Sequence, residues 1–112
     1  MERLVDLRSD TVTEPSPEMR RAMHDAEVGD DYYYDDPTVR ALEERAAELL
    51  RKEAAMLVLS GTMGNLVSIL AQTHRGDSVV VEETSHVFVN EAGSLATLGG
   101  LTPRTIKGRR GV

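Results

Sequence analysis

The sequence predicts an α/β fold, because strand-like apolar runs alternate with segments of helical periodicity. Residues 54–59 are apolar on both faces, as expected of a strand that is covered on both sides, and residues 78–81 repeat this character. An apolar-periodic segment lies between them and starts at a Gly-rich turn, residues 60–65. We therefore predict that residues 54–82 form a β-α-β unit.

The sequence of the N-terminal region predicts an extended arm that is followed by a helix. Residues 1–15 show no helical period and predict an extended arm, so the α/β domain is predicted to cover residues 16–112. Ser16 and Pro17 supply a helix cap and a proline at the first helical position. This helix is predicted to stop near Gly29.

Residues 30–36 concentrate all three tyrosines of the chain between four aspartates. This composition predicts a loop. Its tyrosines could pack against the surface of a solvated acidic loop, or they could reach over a pocket with an apolar body and a polar tip.

A second helix is predicted to begin at Asp36 and Pro37, where the cap and proline recur. Five apolar residues mark one face of it: Val39, Leu42, Ala46, Leu49 and Leu50.

Beyond the second strand, His86 opens a segment that is predicted to be helical over residues 87–98. Gly99 and Gly100 would end this helix, and residues 101–106 predict a third strand. Three strands are too few to bury fully apolar strands on both faces. We therefore expect an incomplete sheet that belongs to the N-terminal part of a larger protein.

Composition excludes several classes of function. The chain of 112 residues has 19 acidic and 13 basic residues and a net charge of -6, which argues against a nucleic-acid partner. The absence of cysteine excludes disulfides and thiolate chemistry. No apolar run approaches membrane-spanning length and no signal-peptide pattern is present, so a cytoplasmic protein without a membrane partner is predicted.

The Gly-rich turn is the first candidate site. A strand, a glycine turn and a helix N-terminus can hold an anion such as phosphate, because the first helical N–H groups are free and the helix dipole is positive there. Glycine at such a turn can equally serve close packing. His86 follows the end of a strand, where α/β proteins place ligands, although it could also be a loop residue or a cap.

Several motifs together resemble the N-terminal part of the threonine aldolases, which are pyridoxal-phosphate enzymes with the aspartate-aminotransferase type of fold. The resemblance runs in register from about residue 5 to the last residue. It is carried by DLRSDTVT at 6–13, VGDD at 28–31, DDPT at 35–38, SGTMGN at 60–65, and SH at 85–86 followed by Glu91 and Gly93.

This resemblance implies the N-terminal part of the large domain of a pyridoxal-phosphate-dependent transferase fold. It also implies a carbon–carbon lyase that cleaves L-threonine or L-allo-threonine to glycine and acetaldehyde. The cofactor would be pyridoxal 5'-phosphate, and the partners would be an amino-acid substrate and further subunits of a homodimer or tetramer.

The resemblance also implies roles for individual residues. Ser60, Gly61 and Thr62 would bind the cofactor phosphate, and His86 would stack on the cofactor ring near the substrate hydroxyl. Glu91 would orient the site. On the substrate side, the implied roles are carboxylate binding by Ser9, a border of the shared site by Tyr33, and a cation held by Thr11 and Thr13.

The family's Schiff-base lysine has no counterpart here, since Lys52 and Lys107 are the only lysines and neither matches its motif. The resemblance thus predicts that the isolated chain is inactive. Two other interpretations stay open: a phosphate- or nucleotide-binding module that uses the same turn, and a non-catalytic remnant of a truncated gene.

Overall fold

The computed structural model describes residues 5–109 as two compact units. The first unit ends at Leu57 and the second begins at Val58. In the described part of the chain, no helix is long and apolar enough to cross a lipid bilayer.

The first unit contains two helices and two short 3-10 turns. The turns are Asp10–Val12, inside the predicted arm, and Asp31–Tyr33, inside the tyrosine loop. The helices are α1, Pro17–Asp25, and α2, Pro37–Leu50. Both begin as predicted, with a capping side chain directly before a proline.

Helix α1 ends at Asp25, before the predicted stop near Gly29. The following segment bonds to the start of α2: the Thr38 hydroxyl donates to the Glu27 carbonyl, and the Gly29 amide donates to Asp36 Oδ2 at 3.0 Å. These bonds hold the chain in a non-helical course. A Cβ atom at Gly29 would overlap the backbone of Asp35, so glycine is required there.

The second unit is built around a two-stranded parallel sheet. Helix α3, Gly61–Leu70, precedes strand β1, Ser78–Glu82; two short helices follow, α4, His86–Val89, and α5, Ser94–Thr97, before strand β2, Thr102–Ile106. Ser78 pairs with Thr102 and Glu82 with Ile106. The core consists of Val81, Leu95 and Leu101, against which Ile69, Val79 and Val87 pack.

The prediction of a strand over residues 54–59 is wrong for this structure, since the segment has no regular secondary structure. Consequently, the predicted β-α-β unit over residues 54–82 is also not formed. The physical reason is that a strand requires a neighbour for its backbone groups, and the described strands pair only with each other. Two-sided burial is absent too: the exposed fractions of Met56, Leu57 and Leu59 are 63%, 47% and 94%.

The single helix predicted over residues 87–98 is instead two short helices, α4 and α5. Ala92 and Gly93 lie between them with φ angles of 53° and 67°, in the left-handed region that interrupts a helix. The third predicted strand is confirmed as β2.

Asp36 makes the best-defined cap in the first unit. Its side chain is buried and accepts hydrogen bonds from the amides of Val39, Gly29 and Thr38 at 2.8 to 3.0 Å. These N–H groups, led by Val39, lower the pKa of the Asp36 carboxyl.

We predict that Asp36→Asn destabilises the chain at neutral pH by an amount that becomes smaller in acid. Because the pKa of the folded state is lowered, the ionised carboxylate contributes fully above the unfolded pKa of about 3.9, and the contribution is lost as pH falls through the folded pKa. Urea unfolding at pH 7 and pH 3 measures this difference. Asp35→Asn, at the exposed neighbouring aspartate, is the control; a gap between wild type and Asp36→Asn that stays constant with pH would contradict the prediction.

Candidate functional site

Ser60 caps the N-terminus of α3. The Ser60 hydroxyl accepts a hydrogen bond from the Met63 amide at 3.1 Å, and the Ser60 carbonyl accepts from the Gly64 amide at 3.0 Å. Among the described residues, the amides of Gly61 and Thr62 have no such acceptor. We call residues 60–62 the cradle, since their free N–H groups lie at the positive end of the helix dipole.

Space in front of the cradle is open. A Cβ atom built on Gly61 would meet no atom within 4 Å. Ser60 and Thr62 also line a cavity of about 440 Å³, whose walls include Glu91 and Ser94. The cradle can therefore accept a group larger than a methyl without rearrangement of its backbone.

Glu91 is the central side chain of the second unit's polar cluster. Its side chain has no exposed surface, yet its Oε1 atom lies 2.8 Å from Nδ1 of His86 and accepts a hydrogen bond from Nδ2 of Asn65 at 2.7 Å. Its Oε2 atom is buried without a partner in the described residues. The Asn65 amide first, and the His86 imidazole second, lower the pKa of Glu91 and so favour the ionised form, whereas burial opposes this effect.

The break between α4 and α5 is what lets Glu91 reach His86. In one continuous helix, side chains five residues apart would lie about 140° apart around the axis and could not meet. Helix α4 ends before Glu91, at its C-cap Asn90, whose φ and ψ angles of -113° and 0° are not helical. The His86 side chain meanwhile stays 65% exposed, so its other nitrogen is accessible.

A comparison with models of protein families identifies the family of this chain. A family model described as beta-eliminating lyase matches residues 6–112, which is nearly the whole chain. This chain belongs to the beta-eliminating lyase family. Members of this family use pyridoxal phosphate.

Several relatives of this chain are named as low-specificity L-threonine aldolases. "Probable low-specificity L-threonine aldolase 2" of Arabidopsis thaliana is 53% identical over 106 residues, which cover 94% of this chain and 30% of the plant protein. "Low specificity L-threonine aldolase" of Escherichia coli K12 is 50% identical over 103 residues, or 92% of this chain and 31% of the bacterial one. The chain thus spans about 30% of the length of these relatives, and the resemblance to threonine aldolases is confirmed.

The cradle fits the phosphate of the family's cofactor. A phosphate group needs hydrogen-bond donors, favourable electrostatics and space. The cradle offers two free amides, the positive end of a ten-residue helix and open space beyond Gly61. An exposed imidazole fixed at one nitrogen is suited to face a ring or a hydroxyl. Lys52 and Lys107 are both exposed; Lys52 is the second residue after α2, and Lys107 directly follows β2.

The other predicted site residues belong to the first unit and stay predictions. Ser9 caps the first 3-10 turn by accepting from the Thr11 amide at 3.2 Å, and the Thr11 hydroxyl donates to the Ser9 hydroxyl at 3.0 Å. The Thr13 hydroxyl donates to the Asp10 carbonyl. Among residues 5–109, no group of three or more histidine or acidic side chains is arranged to hold a metal ion.

Tyr33 is exposed, as are Tyr32 and Tyr34. The rings of Tyr32 and Tyr33 pack edge to face with their centroids 4.9 Å apart. Tyr34 adopts a left-handed conformation with φ of 59°, and its carbonyl accepts a hydrogen bond from Arg40 at 3.3 Å. The loop thus has a defined turn that presents its aromatic side chains to solvent.

Local sequence patterns assign no role to Asn65. The residue lies inside the resemblance motif, but its partner Glu91 is 26 positions away, and such a pairing is invisible to local patterns. One signal was present: Asn65 is an amide that directly precedes the apolar part of α3.

We predict that Ser60→Ala lowers the free energy of unfolding by about 1 kcal/mol, because the Met63 amide loses its capping acceptor. Urea unfolding monitored by circular dichroism measures the change. Ser68→Ala, at an exposed position of the same helix, is the matched control and is expected to change stability by less than about 0.5 kcal/mol. Equal effects of the two substitutions would show that Ser60 does not stabilise the helix start.

Proposed function

We propose that this chain forms the phosphate-binding and ring-facing part of a pyridoxal-phosphate-dependent threonine aldolase, which cleaves L-threonine or L-allo-threonine to glycine and acetaldehyde. The observation that carries the proposal is the pairing of an open helix N-terminus at Gly61 with a histidine that a buried carboxylate holds at one nitrogen. The similarity to low-specificity threonine aldolases over more than nine-tenths of the chain supports it.

The cradle would bind the phosphate. The amides of Gly61 and Thr62 would donate to phosphate oxygens, and the dipole of α3 would add favourable electrostatics. Ser60 would keep its capping bond to Met63 and so preserve the cradle's shape. When bound, the cofactor supplies an electron-accepting ring that makes cleavage of the bond between Cα and Cβ feasible.

His86 would act on the substrate side. Glu91 occupies the Nδ1 position, so Nε2 is the nitrogen that is free to accept a proton from the β-hydroxyl of the substrate. Glu91 would therefore be a positioning residue that acts through His86.

The proposal extends to substrate and subunit contacts. Ser9 would bind the substrate carboxylate, and Tyr33 would border a site shared within a homodimer or tetramer. The exposed position of Tyr33 supports such a role, because an aromatic ring with a polar tip is a favourable contact residue between subunits. The lysine that forms the Schiff base would lie outside this chain, since neither Lys52 nor Lys107 matches the family's lysine motif.

A chimera tests the proposed function directly. The matched 103 residues of the Escherichia coli relative would be replaced by the corresponding segment of this chain. We expect the chimera to bind pyridoxal phosphate and to release acetaldehyde from L-threonine or L-allo-threonine. His86→Ala in the chimera is expected to reduce cleavage by about 10²- to 10⁴-fold while leaving the fold intact.

A folded chimera that binds the cofactor but cleaves neither amino acid would overturn the aldolase assignment. Saturable nucleotide binding by the 112-residue chain, together with an inactive chimera, would favour the phosphate- or nucleotide-binding module instead.

We predict that Gly61→Ala in the chimera weakens pyridoxal-phosphate binding by about tenfold or more, because its methyl group enters the space where phosphate oxygens would approach the amides. Fluorescence titration measures the affinity, and pyridoxal without phosphate serves as the comparison ligand. Stability should not fall, since alanine is a better helix former than glycine.

Gly64→Ala is the matched control for this substitution. It adds the same methyl group one turn further along α3, where the nearest atom would be Cγ2 of Val58 at 3.3 Å. We expect it to leave cofactor affinity unchanged. If Gly61→Ala binds the cofactor as tightly as wild type, the cradle does not contact the phosphate.

A further inference from the structure

Asn65 links the cradle helix to the histidine segment. Among the described residues, its bond to Glu91 is the only hydrogen bond between α3 and the segment from His86 to Ser94. Asn65 lies four residues after Gly61, or about 6 Å along the helix axis. One rigid helix therefore carries both the free amides and the side chain that contacts Glu91.

The geometry leaves little freedom to the Glu91 carboxylate. Both of its hydrogen bonds converge on Oε1, while Oε2 is buried and has no partner in the described residues. An ionised carboxylate can only accept hydrogen bonds. Without Asn65, a buried charge with His86 as its sole donor would be unfavourable. We therefore expect the Glu91 carboxylate to turn towards water and to release the imidazole.

This arrangement also defines the imidazole. Because Glu91 can only accept, Nδ1 of a neutral His86 must carry the proton, and Nε2 must be bare. The exposed side of the ring then presents an acceptor to whatever occupies the site.

We propose that Asn65 is a positioning residue: by holding Glu91 it fixes His86 in the tautomer protonated at Nδ1 and couples the imidazole to the cradle helix. The catalytic consequence, a bare Nε2 that faces the substrate, rests on the proposed function. The tautomer itself does not, because it follows from contacts within the chain.

The test is nitrogen NMR of the complete 112-residue chain labelled with ¹⁵N, at a pH where His86 is neutral. Long-range proton–nitrogen spectra distinguish the two tautomers, and His86→Gln assigns the signals among the three histidines. We expect wild type to be protonated mainly at Nδ1. Asn65→Ala should reverse the majority form to Nε2–H, the usual preference of an unconstrained imidazole.

Matched variants separate positioning from general destabilisation. Asn90→Ala truncates the chain's other asparagine, which is exposed, and should keep the wild-type tautomer. Asn65→Leu keeps the approximate size of Asn65 but has no donor, so it should also lose the Nδ1–H majority. Asn65→Gln keeps an amide donor at the same position and should retain it.

Retention of the Nδ1–H majority in folded Asn65→Ala, or an equal change in Asn90→Ala, would overturn the proposal. If Asn65→Ala loses its native amide dispersion, the comparison of Asn65→Leu with Asn65→Gln decides, and the same tautomer in both variants counts against the proposal. These spectra need no cofactor. A chimera that fails to cleave threonine would therefore refute the proposed function without changing the tautomer result.

Discussion

A buried carboxylate with only one paired oxygen is the interaction on which the candidate site depends. Glu91 would be unfavourable in the interior without donors, because burial penalises the ionised form. Its donors come from α3 and from the start of α4, and they converge on Oε1. The charge therefore joins two segments that are remote in sequence. The buried Glu91 side chain fixes the orientation of the exposed His86 imidazole.

The backbone leaves the helical course on both sides of Glu91. Helix α4 ends at its C-cap Asn90, whereas a continuous helix would place the side chains of Glu91 and His86 apart. Ala92, directly after Glu91, adopts a left-handed conformation, which costs a residue with a Cβ atom about 1–2 kcal/mol. Strained backbone beside a buried charge and an exposed histidine is typical of functional sites, where the surrounding packing maintains the conformation. Here Leu95, which is 1% exposed, anchors the segment in the core.

The apolar segment over residues 54–59 shows how far strand formation depends on distant partners. Its composition is that of a buried strand, but β1 and β2 pair with each other, and the segment has no regular structure. A helix satisfies its own backbone, and so α2 and α3 form where caps and periodicity predict them. A strand has no such independence. The segment is accordingly exposed at Met56 and Leu59. The chain spans about 30% of the length of its relatives.

The sequence by itself determined the parts of this protein that rest on local chemistry. Ser60 and Asp36 mark helix starts because a side-chain oxygen before the first turn satisfies free amides. Five motifs between residues 6 and 93 together carry the family resemblance, which the comparisons confirm. Tertiary structure alone decided the rest. Three features depend on it: the pairing of β1 with β2, the division of the predicted helix near Ala92, and the contact of Asn65 with Glu91. No local pattern specifies them, because their energies depend on which partners the fold brings within hydrogen-bonding distance.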